Sequence, residues 1–174
     1  EYRRQRQMCI RDRGNRLNFM DFETATKVSG ARFVFLKDKL AMLERAISNF
    51  MLDFHTKEFG YQEISPPLIV SDSTMFGTGQ ISKFEDDQFE IKIEDKKNKK
   101  FLIPTAEVIL TNMVREKTLA HNQLPLLFVA STACFRKEAG SYGKDTKRKI
   151  RQHQFYKVEL VSIVESSKCL EELE

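Results

Sequence analysis

The sequence predicts an α+β fold, an antiparallel β-sheet flanked by helices. Three observations carry this. A long apolar stripe at helical spacing runs from Phe33 to Phe54. Two apolar runs, 126–135 and 152–164, bracket a basic loop that contains Gly140 and Gly143. Between stripe and runs lies a shorter hairpin pattern, 89–93 and 101–103. Strands grouped apart from helices, with no regular alternation of the two, favour α+β over a parallel α/β sheet.

Length and composition bound the function. The chain has 174 residues, 41% hydrophobic and 31% charged, an ordinary globular mix that argues against wholesale disorder. Its length suits one domain or part of one. No apolar stretch is long enough to span a bilayer, and no signal-peptide core is present, so a membrane role is not expected. Cys9, Cys134 and Cys169 lie far apart, which fits a reducing, cytoplasmic setting. The net charge of +4 is uneven. Five arginines against Glu1 and Asp12 put +3 on residues 1–13, and seven Lys or Arg against Glu138 and Asp145 put +5 on residues 136–151. The remainder is therefore −4, which excludes a uniformly basic surface.

Residues 1–13 have no apolar period and read as a non-native or disordered tail. A nucleic-acid arm is the functional alternative. The stripe Phe33, Leu36, Leu40, Leu43, Ile47, Phe50 and Phe54 steps by three and four and predicts a helix over Ala31–Phe59, stopped by a left-handed Gly60. Its pattern fits a core helix and a subunit interface equally. Residues 61–64 form a strand candidate halted by Pro66 and Pro67, resumed over 68–70. Residues 75–83 read as a glycine-bearing turn without the spacing of a phosphate loop. The 89–103 hairpin has a solvated lysine-rich tip. Residues 107–117 read as a helix with Thr105 placed to cap it, and residues 170–174 as the start of another.

The two long strands define the candidate site. Side chains two apart on a strand share a face. Phe155, Lys157 and Glu159 therefore lie together, with Arg136 and Glu138 pointing one way if the first strand continues past Phe135. An aromatic plate can stack a base, an arginine can grip phosphate, and a carboxylate can take an ammonium or hydroxyl. Such a face suits an extended ligand with a base at one end and an amino acid at the other. His55 is expected at the surface or an interface, and His121 in a turn. His153 is expected to alternate away from Phe155 and Glu159 into packing or solvent. Cys134 is expected in the strand core. No residues have zinc-ligand spacing, so no zinc is expected.

FRKEAGSYGKD (135–145) followed by IRQHQFYKVEL (150–160) closely resembles the motif 2 strand-loop-strand of seryl-tRNA synthetases, which are class II aminoacyl-tRNA synthetases. MDFETATKVSGARF, GYQEISPPLIV, MFGTGQISKFEDDQF and FLIPTAEVILTN match the same family upstream, in order. The resemblance covers about residues 14–174 and implies the N-terminal part of a class II catalytic domain, with motifs 1 and 2 present and motif 3 and the tRNA-embracing arm absent. It implies a serine–tRNA ligase that activates serine with ATP and transfers it to tRNA(Ser), with ATP and Mg²⁺ as cofactors. It assigns Thr105, Ala106, Glu107 and Glu159 to serine and Arg136, Lys137, Glu138, Gln152 and Phe155 to ATP. Arg136 would be the catalytic residue, and Mg²⁺ would arrive with ATP, Glu159 near it. Pro66 and Pro67 would lie at the motif 1 interface of a homodimer, which tips the long helix towards an interface. The chain alone is expected to be inactive and poorly stable. Two alternatives stand beside this: a non-catalytic or carrier-protein-aminoacylating paralogue, and an RNA-binding module using the basic tail.

Overall fold

A computed structural model of the chain describes residues 13, 14, 16–81, 85–92, 99–138 and 151–173. Residues 1–12, which hold nearly all of the expected tail, and most of the basic loop, 139–150, lie outside the described residues.

The chain enters through a two-residue strand β1 (Met20–Asp21), which pairs antiparallel with β2 (Phe35–Leu36). Helix α1 (Phe22–Ser29) lies between them. The Asp21 carboxylate caps it, accepting from the Thr24 backbone N–H at 2.9 Å. That bond, with help from the Thr24 hydroxyl and Lys37, holds the Asp21 carboxyl below its ordinary range.

Helix α2 spans Asp38–Glu58, seven residues shorter at its start than the stripe predicts. The difference has a local cause. Residues 35 and 36 are drawn into the β1 pairing, and Arg32 sits at φ 67°, which breaks a right-handed helix. Phe33 and Leu36 therefore leave the stripe. The far end is as expected: Gly60 takes φ 71°, and the Tyr61 N–H reaches back to the His55 carbonyl at 3.1 Å.

The stripe itself is not core. No residue of α2 is buried, and Leu43, Ile47, Phe50 and Phe54 all stand exposed, Phe50 at 66%. The half-buried positions are Leu40 of the stripe and Ala41, Glu44, Ser48, Leu52, His55 and Thr56, most of them on a different and more polar face. The helix packs on the long strands described next and turns its apolar stripe outward.

Strands β3 (Gln62–Glu63) and β4 (Ile69–Ser71) flank Pro66 and Pro67. Proline offers no N–H to a ladder, and here the pair divides the segment between two sheets. β3 runs parallel to β7 (Leu126–Phe135), which pairs antiparallel with β8 (Gln154–Ile163) from Leu126↔Ile163 to Phe135↔Gln154. β4 pairs with β6 (Lys100–Leu102), which also pairs with β5 (Glu90–Ile91) as the expected hairpin. The lysine-rich tip, 93–98, lies outside the described residues. The antiparallel character holds, with the β3–β7 pair as its parallel exception.

Residues 75–77 are helical rather than a turn. Helix α3 (Asp72–Gly77) is capped by the Ser71 hydroxyl, and Met75 is fully buried among Val70, Phe101, Ile103 and Val108. Helix α4 (Glu107–Asn112) is shorter than the expected 107–117; turns follow it, with Glu116 at φ 59°. A second cluster joins Ala106 and Leu110 of that segment to Phe128 and Ala130 of β7, with Val161 and Ile163 of β8 against it. This packing lays the start of α4 over one face of the long strand pair. Helix α5 (Cys169–Leu173) closes the described chain. Among the described residues, no helix is long and apolar enough to cross a membrane.

Candidate functional site

The register of β7 and β8 sets the site. Cys134 pairs with Phe155, Thr132 with Lys157, and Ala130 with Glu159. Residues directly opposite share a face, so Phe155, Lys157 and Glu159 line the face that α4 covers from its far end.

Thr105 reaches this face because Ala106 and Leu110 are anchored in the second cluster. Thr105 is 3% exposed. Its hydroxyl donates to Glu159 Oε2 at 2.5 Å. It accepts from Lys157 Nζ at 3.2 Å and from the Glu107 N–H at 3.3 Å, but the N-cap position of α4 is Ala106 rather than the expected Thr105, which bonds the helix from one residue outside it. Lys157 also forms an ion pair with Glu159 Oε2. One residue earlier, the Pro104 carbonyl accepts from Arg136 Nε at 3.2 Å, and the Arg136 guanidinium lies 5.3 Å from the Phe155 ring centroid. The Phe135 N–H donates to the Ile103 carbonyl at 2.8 Å, which ties the 101–105 segment to the end of β7. Two groups thus stand side by side: the polar Thr105, Glu159 and Lys157 at one end, and the Arg136 guanidinium with the Phe155 ring at the other.

The remaining predicted residues divide. Ala106 is wholly buried and acts as an anchor. The Glu107 side chain is exposed, and no hydrogen bond among the described residues joins its carboxylate to Thr105 or Glu159. β7 ends at Phe135, so alternation does not carry Glu138 onto the Arg136 face. Glu138 sits at φ 53° and pairs with Arg151 at 2.7 Å. Lys137 donates its backbone N–H to Asp87, with its ammonium 6.0 Å from the Phe89 ring. Gln152 is half-buried, and its amide nitrogen Nε2 is buried with no hydrogen-bond partner among the described residues. Pro66 is half-buried and Pro67 exposed, both between β3 and β4.

His153 corrects an expectation. It has the same parity as Phe155 and Glu159, so alternation does not set it apart. The chain bends before β8 begins, and the ring packs against Phe33 and Phe89 while Nδ1 lies 2.9 Å from the Arg136 carbonyl. It packs, as expected, and also braces the backbone of Arg136. Cys134 is wholly buried; burial pushes its thiol above the ordinary value, only partly offset by the Thr132 hydroxyl and by Lys157 and Arg136. His121 opens a 3₁₀ turn and pairs with Glu165 at 2.5 Å.

Two residues of this neighbourhood were given no role from the sequence. Lys157 was legible from the same two-residue period as Phe155 and Glu159. Arg32 was not: its guanidinium donates to the Lys137 and Glu138 carbonyls from more than a hundred positions away. Among the described residues, no group of three or more His, Cys, Asp or Glu could hold a metal ion.

The chain is similar to known proteins in sequence and in fold. Residues 88–174 match the model of the tRNA synthetase class II core domain (G, H, P, S and T). The chain is 67% identical over 161 residues to a serine–tRNA ligase of Pelagibacter ubique, covering 92% of this chain and 38% of that protein. It is 60% identical over 166 residues to that of Parvibaculum lavamentivorans, covering 94% and 38%. Among solved structures, seryl-tRNA synthetase from Pyrococcus horikoshii complexed with ATP superposes with a TM-score of 0.82 at 39% identity, covering 92% of this chain and 35% of that one. The cytoplasmic enzyme from Naegleria fowleri in complex with AMP gives 0.82 at 31%, covering 91% and 36%. The chain spans little more than a third of the length of these relatives.

Proposed function

The chain belongs to the class II tRNA synthetase core-domain family, and from that premise we propose that it is the N-terminal part of a serine–tRNA ligase catalytic domain, comprising residues 14–174. Its protein condenses serine with ATP to seryl-adenylate and pyrophosphate in the cytoplasm, then passes the seryl group to tRNA(Ser). The observation that carries this is the Thr105–Glu159 pair standing beside Arg136 and Phe155. A hydroxyl and a carboxylate hold the polar groups of serine; a guanidinium and an aromatic ring hold ATP.

Phe155 offers its ring to the adenine, and Gln152, next to the bend that starts β8, accompanies it. Arg136 binds the α-phosphate and stabilises the charge that builds there as the serine carboxylate attacks in line. Lys137 and Glu138 border the same phosphate path. No nucleophilic side chain is required, because the protein's task is to align two substrates and meet developing charge. Thr105, Ala106 and Glu107 form the serine-binding turn, and Glu159 reads ammonium and hydroxyl. A site built to bond a hydroxyl is left unpaired by alanine, which is the basis of its rejection. Mg²⁺ would arrive with the triphosphate, near Glu159, and would supply charge neutralisation there.

The exposed stripe of α2, with Pro66 and Pro67, forms the homodimer contact. Unburied Phe50 and Phe54, with stacked rings 5.7 Å apart, support this.

The test is ATP–pyrophosphate exchange in a full-length protein carrying this sequence. Exchange that depends on serine, with alanine poorer by at least about a hundredfold in kcat/KM, is expected. Exchange driven equally by alanine or by another amino acid overturns the assignment of serine.

A further inference from the structure

The serine-reading pair carries a third group whose work is not explained by contact with substrate. Lys157 lies two residues before Glu159 on β8, on the same face, and bonds both Glu159 and Thr105. A hydroxyl has one donor and two acceptor positions. The Glu107 N–H and the Lys157 ammonium supply two donors to the Thr105 oxygen, leaving its own proton for Glu159 Oε2. An ammonium has no acceptor, so this direction cannot invert while Lys157 is in place. Glu159 Oε2 is then occupied twice, and Oε1 takes no hydrogen bond among the described residues.

We propose that Lys157 is a positioning residue for the amino-acid substrate: it holds the Glu159 carboxylate and directs the Thr105 hydroxyl, so that Glu159 meets the substrate through Oε1. This rests on the reading of the site as a serine site. The Glu159 side chain is only 16% exposed, against 35% for Lys157. Without its ammonium partner, a carboxylate so enclosed loses its counter-charge, and Thr105 is free to turn its proton elsewhere. Lys157 acts through Glu159 and Thr105, on the serine end of the face, whereas the ATP end rests on Arg136 and Phe155.

The experiment measures KM for serine, KM for ATP, kcat and the melting temperature in a full-length protein carrying this sequence. Lys157→Met is expected to raise the serine KM by about tenfold or more, with the ATP KM within about twofold of the wild type. Lys157→Arg, which keeps the charge and its donors, is expected to recover most of the loss. In a Glu159→Gln background, Lys157→Met should add little further, since its target has already changed. If Lys157→Met does not fold, Lys157→Gln gives the same comparison. An unchanged serine KM, an equal rise in both KM values, an arginine variant no better than methionine, or additive effects with Glu159→Gln each overturn the proposal. These outcomes are read against a wild type active with serine; a wild type with no serine-dependent exchange instead overturns the functional assignment and this role with it.

Discussion

The Thr105 hydroxyl donates to Glu159 Oε2 at 2.5 Å, joining two residues that stand 54 positions apart in the chain. The bond links the turn before α4 to the middle of β8. It is held from behind by Ala106 and Leu110 in the core, so it is a fixed feature of the fold rather than a contact between loose side chains.

Removing either partner leaves the other enclosed without its bond. Thr105→Val keeps the shape and removes the hydroxyl; Glu159→Gln keeps the shape and removes the charge. Both are expected to lower kcat/KM for serine by about a hundredfold and to leave the ATP KM within about threefold. Thr105→Ser should restore most of the first loss. Steady-state pyrophosphate exchange at varied serine and varied ATP checks all three.

In the proposed function, Arg136 and Phe155 divide the ATP end between charge and stacking. Arg136→Ala is expected to lower kcat by about a thousandfold, the scale of losing a main transition-state donor. Phe155→Ala should raise the ATP KM by about tenfold or more, the scale of one lost base–aromatic contact, with a smaller effect on kcat. Near-normal exchange by Arg136→Ala, with the melting temperature preserved, would remove the role assigned to it.

Cys134 should be inert where Cys169 reacts. The thiolate is the reactive form, and burial holds the Cys134 proton while Cys169 is exposed. In a full-length protein carrying this sequence with Cys9→Ser, iodoacetamide at pH 8 is expected to label Cys169 and spare Cys134 until denaturant is added, as peptide mass spectrometry will show. The folded state binds the Cys134 proton more tightly than the unfolded chain. Its contribution to stability is therefore fully present below the ordinary thiol value of 9.0 and is lost as the pH rises through the elevated folded value. Denaturant midpoints measured from pH 7 upward should fall more steeply above pH 9 for the wild type than for Cys134→Ala.

The α2 stripe predicts an assembly. Replacing Ile47 and Phe54 together by Asp introduces charge on a face that no described residue covers, so the fold should persist while self-association fails. Sedimentation of a full-length protein carrying this sequence is expected to shift from dimer to monomer, with the helical circular dichroism signal retained. A dimer that survives both changes would place the interface elsewhere.

Much of this was legible along the chain because it depends on neighbours in sequence. The alternation of residues 155, 157 and 159 put an aromatic ring, an ammonium and a carboxylate on one face, and Gly60 marked the end of α2. The order of the motifs named the family that residues 88–174 match. Errors fell where a distant segment intervened. The start of α2 was lost to the β1–β2 pairing, and Met75 was drawn from a turn into a buried helix.

By itself, then, the sequence determined the local pattern: which residues alternate on strands, which recur at helical spacing, and which residue types suit a base, a phosphate and an amino acid. Period and propensity are short-range properties, so one chain displays them. The tertiary structure decided which of those patterns face each other. The stripe of α2 could have been core or surface; only the packing of its polar side against the long strands turned Phe50 and Phe54 outward. Thr105 was placed to cap a helix, and Arg32 was no candidate at all. The first met Glu159 and the second met residues 137 and 138 because folding closes loops of 54 and more than a hundred residues, a step that hydrophobic burial drives and no local pattern encodes.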